Sequence, residues 1–543
     1  MAGPSIVPAV PVPSRRSSTA ARNSVIVAGA TLVSRVTGLL RVVVIGAVLG
    51  PTFFANVFQA GYVVPSIVYS AMAGPVLAMV AVPMLVRAIG AGGAAHGRAV
   101  FGAIYGCLLT CGCAGAVLLA VLSPLIAWTL TFGIPDPLER ARAHELTVIL
   151  MLLVAVQVPL FSIAGLGAAA QQARGRFALA TAAPALENLG LIGTVLVAAL
   201  LFGTGLQTDQ VPTTLVVLLG LGATLAVALH AVLQLVGAAR GGVLAAPSWR
   251  WWRDPQARAF ARRLYRSFGV AACPAVAMYV LIALAGTVPG GVLVVQLAFS
   301  VFYALSYLGA RAVSIAVLPG LAEAADSNAA AFAPAWRQGL SYAVAASLPM
   351  LCLLAVFAAP AADLLANGEM RTGPVIAQLA ACLAVVAVAQ LVGGVHDLGR
   401  QALFAQLDAR GPRLAAVVAL GASLVVAAGA MALPAGGGRL FGLTLAILAG
   451  EAAAAVTVLV RLRPVVGPGA LVDVGGLAAP LIAAAAMLPV ALAGLWAQHT
   501  MAGSRAGEVV VLVAGVLVAL GVYVAALGFL RGVPRARRIS GAP

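Results

Sequence analysis

The chain has 543 residues, 62% of them hydrophobic and 9% charged. Soluble globular proteins carry about 25% charged residues, so soluble enzymes and soluble binding modules are excluded and a polytopic membrane protein is left. The net charge of +17 comes entirely from arginine; in a membrane protein such charge is read loop by loop, and no nucleic-acid partner is expected.

In chain order, residues 1–24 are rich in Pro, Ser and Ala, carry Arg15, Arg16 and Arg22, and contain no acid. They read as a disordered cytoplasmic tail. A cleaved signal peptide is not expected, because the apolar run that follows is too long and is interrupted by Arg35 and Arg41. That run, 25–50, is the first predicted span, and its core is Ser34-Arg35-Val-Thr-Gly-Leu-Leu-Arg41. An arginine near the centre of a span costs roughly 2.5 to 3.5 kcal/mol on insertion scales. At about 1.5 Å per residue Arg35 lies roughly 15 Å below Val25, near the bilayer midplane, with Arg41 deeper. Six residues at about 100° each separate the two guanidinium groups by about 120°, which suits a wide wet cavity rather than a narrow stripe. An anion-handling cavity is the first reading; pairing with an internal acid or carbonyl is the alternative.

The second predicted span, 57–88, is punctuated by Pro65, Pro75 and Pro83, and each proline removes a backbone hydrogen bond. Further on, polar residues again fall inside spans: Glu187 and Asn188 in the fifth, Arg311 in the eighth and Glu451 in the twelfth. Each is costly unless paired, protonated or facing water. Glu187 is the expected counter-charge for Arg35 or Arg41. Glu451 is a candidate for a coupling proton or cation, or a neutral acid hydrogen-bonded between helices. His230 reads as a neutral interhelical hydrogen-bonder. The six cysteines fall in apolar runs and read as buried thiols, with no metal site. The five histidines are scattered, no cofactor-binding or catalytic motif occurs, and the chain is not expected to be an enzyme.

The expected fold is all-α, with about fourteen transmembrane helices. With the amino end cytoplasmic, 24 of the 32 arginines fall in cytoplasmic segments, five in outer loops (Arg140, Arg142, Arg371, Arg439, Arg505) and three within spans (Arg35, Arg41, Arg311). Both termini are therefore expected in the cytoplasm. The chain also repeats itself: Ala173-Arg174-Gly175 recurs as Ala409-Arg410-Gly411, and Val82-Pro83 as Leu318-Pro319, each 236 residues on. An equal offset six spans apart implies two parallel six-helix lobes, 25–240 and 266–462, followed by two additional helices in 463–532 and a basic tail, 533–543. Between the lobes, 241–265 forms a cytoplasmic connector. Asp254-Pro255 starts a helix there, with Arg258, Arg262 and Arg266 on one face and Phe260, Leu264 and Phe268 on another, as for an amphipathic segment held against anionic membrane lipids.

These residues resemble the MviN/MurJ family of lipid II flippases, in the multidrug/oligosaccharidyl-lipid/polysaccharide exporter superfamily. The likeness is carried by Ser34-Arg35 through Gly38 and Arg41, by Ala183-Pro184-Ala-Leu-Glu187-Asn188, and by Phe404-Ala-Gln-Leu-Asp408-Ala-Arg410-Gly-Pro412. It implies two lobes in a V and a groove for an undecaprenyl tail between the last two helices. Arg35 and Arg41 would then meet the pyrophosphate or adjoining sugars of a lipid-linked peptidoglycan precursor, carried across a bacterial plasma membrane by alternating access, with the cell-wall synthesis machinery as a further expected partner. No cofactor is implied. The chain departs from the family pattern where further cavity charges would stand: Tyr69 and Ser70, Gly74-Pro75, Ser300 and Asn56 occupy those places. The departures leave open an exporter of another lipid-linked glycan or amphiphile, or a transport-inactive paralogue acting as a membrane scaffold.

Overall fold

The computed structural model describes residues 15–327, 329–467, 471–501 and 504–532. Helix α1 (Arg15–Leu49) is the first crossing. α2 (Phe53–Met72) and α3 (Gly74–Val121) follow, and α3 turns a corner at Gly92–Gly93. Gly93 has φ +65°, a left-handed backbone that a side chain would strain. So α2 with the first part of α3 is the second crossing. The rest of α3, extended by α4 (Ser123–Thr131), is the third. α5 (Pro137–Val154) with α6 (Gln157–Ala173), then α7 (Ala178–Phe202) and α8 (Thr213–Arg240), complete six.

The second half repeats the plan with α9 (Pro255–Ala285), α10 (Gly291–Leu308) with α11 (Ala310–Ser327), α12 (Ala329–Val356) with α13 (Ala358–Leu365), α14 (Gly373–Ala405), α15 (Arg410–Ala430) and α16 (Gly437–Val466). α17 (Val474–Met501) and α18 (Arg505–Gly532) are added. Among the described residues twelve helical stretches are long and apolar enough to cross a bilayer, thirteen with the bent α9. One of the twelve, 46 residues long, contains the Gly92–Gly93 corner and crosses twice, which gives fourteen crossings. No strand occurs among the described residues.

The sequence repeat has a structural counterpart. The second crossing is interrupted at Ala73 (φ −139°, ψ −45°) and the eighth at Gly309 (φ −101°, ψ −118°), again 236 residues apart. Pro75 follows the first break directly, whereas Pro65 and Pro83 lie inside helices.

Fourteen crossings put the start of α1 and the end of α18 on one side, here called the near end. At the far end one apolar core is shared by both halves, with Val42, Ile45 and Phe58 packed with Leu293, Met370 and Leu443. At the near end the core divides. Leu77, Phe101 and Phe260 belong to one cluster, Phe332, Trp336 and Leu398 to another. The halves are therefore joined at the far end and separate toward the near end. α17 and α18 cross where Gly494 and Gly515 bring their backbones together, and they rest on Leu348 of α12 and on Phe357 at its junction with α13. Side chains such as Leu200, Leu225 and Val425 face outward, as lipid contact requires.

Several expectations are corrected. α1 begins at Arg15, so the later part of the predicted disordered tail is helical; residues 1–14 and the tail 533–543 lie outside the described residues. Cys111 and Cys113 are exposed rather than buried, on the outward face of α3. In the connector the helix begins at Pro255, as expected from Asp254-Pro255. Residues 243–248 run extended along α3, Ser248 N–H donating to the Gly102 carbonyl at 2.8 Å, and Asp254 accepts from the N–H of Gln256 and Ala257. That helix continues through a 51° bend into the seventh crossing, with Phe260 buried and Arg258, Arg262 and Arg266 exposed.

Candidate substrate cavity

Counted back from Leu49 at about 1.5 Å per residue, Arg41 lies roughly 12 Å from the far end of α1 and Arg35 roughly 21 Å. They reach toward different halves. Arg41 donates to the Tyr62 hydroxyl of α2 at 3.0 Å and to Asn188 Oδ1 of α7 at 2.9 Å, and lies over the Tyr62 ring. Asn188 returns its Nδ2 hydrogens to the Thr37 hydroxyl (3.1 Å) and the Ser34 carbonyl (3.3 Å), so Ser34 contributes through its backbone. Arg41 is thereby clamped into the first half.

Arg35 is exposed and turns the other way. Its guanidinium carbon lies 4.2 Å from the centroid of the Tyr307 ring at the end of α10, and Arg311 in the first turn of α11 lies 4.5 Å from the same centroid. The Gly309 break separates Tyr307 from Arg311. Two cations from opposite halves of the molecule thus share one aromatic ring, at the level where the halves part. Neither pairs with a carboxylate among the described residues, and two guanidinium groups held over one ring without a counter-ion favour an anion that can reach both.

The acids are placed otherwise than the sequence suggests. Glu187 contacts neither arginine directly. One of its oxygens accepts from the Tyr62 hydroxyl at 3.1 Å, so that Tyr62 stands between it and Arg41, and the other lies 2.7 Å from His230 Nδ1 on α8. Glu451 of α16 faces His396 Nδ1 of α14 at 2.8 Å. The places where cavity charges are missing serve packing. Tyr69 stacks on Phe161 at 5.9 Å, and Ser300 bonds back to the Gln296 carbonyl at 2.8 Å. Asn56 ties the halves at the far end, bonding the Val288 carbonyl (2.7 Å) and the Val292 N–H (3.0 Å). No group of three or more His, Cys, Asp or Glu side chains suited to a metal occurs among the described residues.

The model of the lipid II flippase MurJ family matches residues 45–515. The chain belongs to that family. Its match to the MurJ family begins four residues beyond Arg41, so the α1 arginines stand outside it. By sequence no curated protein matches the chain. In three dimensions it is similar to a lipid II flippase MurJ in an inward closed conformation, at TM-score 0.73 and 13% identity over 93% of this chain and 98% of that one. Lower likenesses join an inward-facing MATE-family multidrug transporter of the MOP superfamily (TM-score 0.58, 14% identity, 81% and 95% covered) and a MATE transporter in complex with MaL6 (0.54, 15%, 82% and 96%). The fold is that of a polytopic MurJ-like transporter.

Sequence reasoning missed Tyr62, Tyr307 and His396. Tyr307 had a signal: it stands four residues before Arg311, the spacing at which helical side chains meet. Tyr62 and His396 had none beyond being polar groups within apolar spans.

Proposed function

We propose that the protein moves a polyprenyl-pyrophosphate-linked peptidoglycan precursor, lipid II, from the inner to the outer leaflet of a bacterial plasma membrane by alternating access. The observation that carries this reading is the convergence of Arg35 and Arg311 on Tyr307, without a carboxylate partner among the described residues, at the level where the cores of the two halves part. A pyrophosphate is the anion such a pair fits: guanidinium groups hold phosphate oxygens through charge-assisted, often bidentate hydrogen bonds. The amino end of α11, with its positive dipole end, lies at the same break. Membership of the MurJ family supports lipid II as cargo, and the MATE likeness supports rocking of two halves. The excess of arginine in near-end segments supports a cytoplasmic near end, the side from which this conformation would receive substrate. The groove beside α17 and α18 takes the polyprenyl tail, and Arg258, Arg262 and Arg266 rest on anionic lipid.

The test is surface exposure of lipid II in bacteria whose own flippase can be shut off, supplied with this protein or with Arg35→Gln or Arg311→Gln at matched membrane levels. Rescue by the wild type and loss in both variants is expected. Absence of rescue by correctly inserted wild type, or full rescue by both variants, would overturn the assignment.

A further inference from the structure

The anion cavity leaves one buried network unused. It begins at Gln171 of α6, three residues from the near-end turn at Arg174, and runs inward. Gln171 Nε2 donates to Gln234 Oε1 at 2.5 Å, Gln234 Nε2 lies 3.4 Å from His230 Nε2, and His230 Nδ1 lies 2.7 Å from Glu187. Glu187 accepts from Tyr62, which accepts from Arg41. The side chains of Glu187 and His230 are 10% and 12% exposed.

The placing of the Gln234 amide suits one resting tautomer of His230. Gln234 Nε2 also donates to the Ala180 carbonyl at 3.1 Å, and its oxygen is taken by Gln171, so its amide hydrogens face His230 Nε2. In that tautomer Nε2 accepts and Nδ1 directs its hydrogen at Glu187. Few other charges bear on the pair. Glu187 is the one titratable residue of α7; α8 adds only His230 before its terminal Arg240 and α6 has none; α2 contributes Tyr62, while its Tyr69 stacks on Phe161, and α1 contributes Arg41, while its Arg35 turns to Tyr307. Arg41 and Glu187 balance. One more proton is uncompensated.

We propose that the Glu187–His230 pair is a proton-binding site of the first half, filled from the near end and sensed by Arg41 through Tyr62. The incoming proton bonds to His230 Nε2, the Gln234 and Gln171 amides turn together so that Gln234 offers its oxygen to the new N–H and donates to the Gln171 oxygen, and the imidazolium cancels the Glu187 charge. Arg41 then has no internal counter-charge, so a proton on the pair and an anion at Arg41 favour each other. A cation other than a proton is a poor fit, because the pair supplies two ligating side chains and Tyr62 and Asn188 are engaged by Arg41. The coupling to an anion rests on the function proposed above; the proton site does not.

The test is a pH titration of the intact, histidine-labelled protein in lipid nanodiscs by nitrogen NMR. The His230 signals are identified as those missing in His230→Gln. They are expected to titrate, with the midpoint falling by about one pH unit or more in Glu187→Gln and rising in Tyr62→Phe, which removes a donor to the ionised carboxylate. Wild-type His230 unchanged between about pH 4 and pH 10, or a midpoint indifferent to Glu187→Gln in a folded variant, would overturn the proton site. Added inorganic pyrophosphate is expected to raise the wild-type midpoint and to leave Arg41→Gln unmoved. If His230 titrates as described and pyrophosphate moves nothing, the proton site stands and its link to an anion at Arg41 is lost.

Discussion

Arg35 and Arg311 belong to opposite halves of the molecule, yet their guanidinium groups lie 4.2 and 4.5 Å from the centroid of one ring, that of Tyr307. The ring face is what both cations use, so its quadrupole rather than the hydroxyl holds the site together. Tyr307→Phe is expected to flip lipid II at close to the wild-type rate. Tyr307→Ala should lose about 0.5 to 2 kcal/mol of cation–π attraction, roughly a 2- to 30-fold fall, read as lipid II exposure at matched protein levels. Equal loss in both variants would transfer the role to the hydroxyl.

The far end must open if the halves rock. There α1 packs against the 3-10 turn Gly368–Met370, and a Cβ at Gly46 would lie 3.8 Å from that of Met370. That separation matches the mean for disulfides. The double variant Gly46→Cys, Met370→Cys is therefore expected to cross-link under oxidation, arrest transport, and recover on reduction, while each single variant is indifferent to oxidant. Transport by the fully cross-linked protein would show that the far end need not open.

At the near end Asp408 accepts from the N–H groups of Arg410 and Gly411 at 2.9 and 3.0 Å and from Arg461 at 3.1 Å. Burial pushes its carboxyl up, but those N–H groups and the Arg461 guanidinium outweigh it and hold the pKa below the ordinary carboxylate range. A depressed folded pKa means stability that is complete above the unfolded value and lost as pH falls through the folded one. Wild type should therefore melt above Asp408→Asn at neutral pH, and the gap should close on acidification into and below the carboxylate range. A gap constant with pH would refute the charge argument.

The connector lies on α3 only because two glycines admit it. A Cβ at Gly106 would fall 2.0 Å from the Ser248 carbonyl oxygen, and one at Gly102 2.7 Å from that of Ala246. Gly106→Ala should cost about 1 to 3 kcal/mol and expose residues 243–254 to protease. Gly193→Ala, in the middle of α7 with nothing within 4 Å of the new methyl, should be neutral or slightly stabilising. Thermal melting and limited proteolysis read both.

The sequence by itself determined the fourteen crossings, the 236-residue repeat and the cap at Asp254, because each rests on local chemistry. A bilayer demands about 20 apolar residues per crossing, and a cap needs its side chain within a turn of the helix it ends. The cost of Arg35, Arg41, Glu187 and Glu451 was legible for the same reason. Their partners were not. Only the packing of distant helices decided that Tyr62 would stand between Arg41 and Glu187, that each acid would find a histidine, and that the Gly309 break would bring Arg311 to the ring Arg35 already covers. Hydrophobic periodicity specifies which face of a helix is buried, whereas the depth and rotation at which two helices meet are set by side-chain fit along their whole contact, a property that no single stretch of the chain contains.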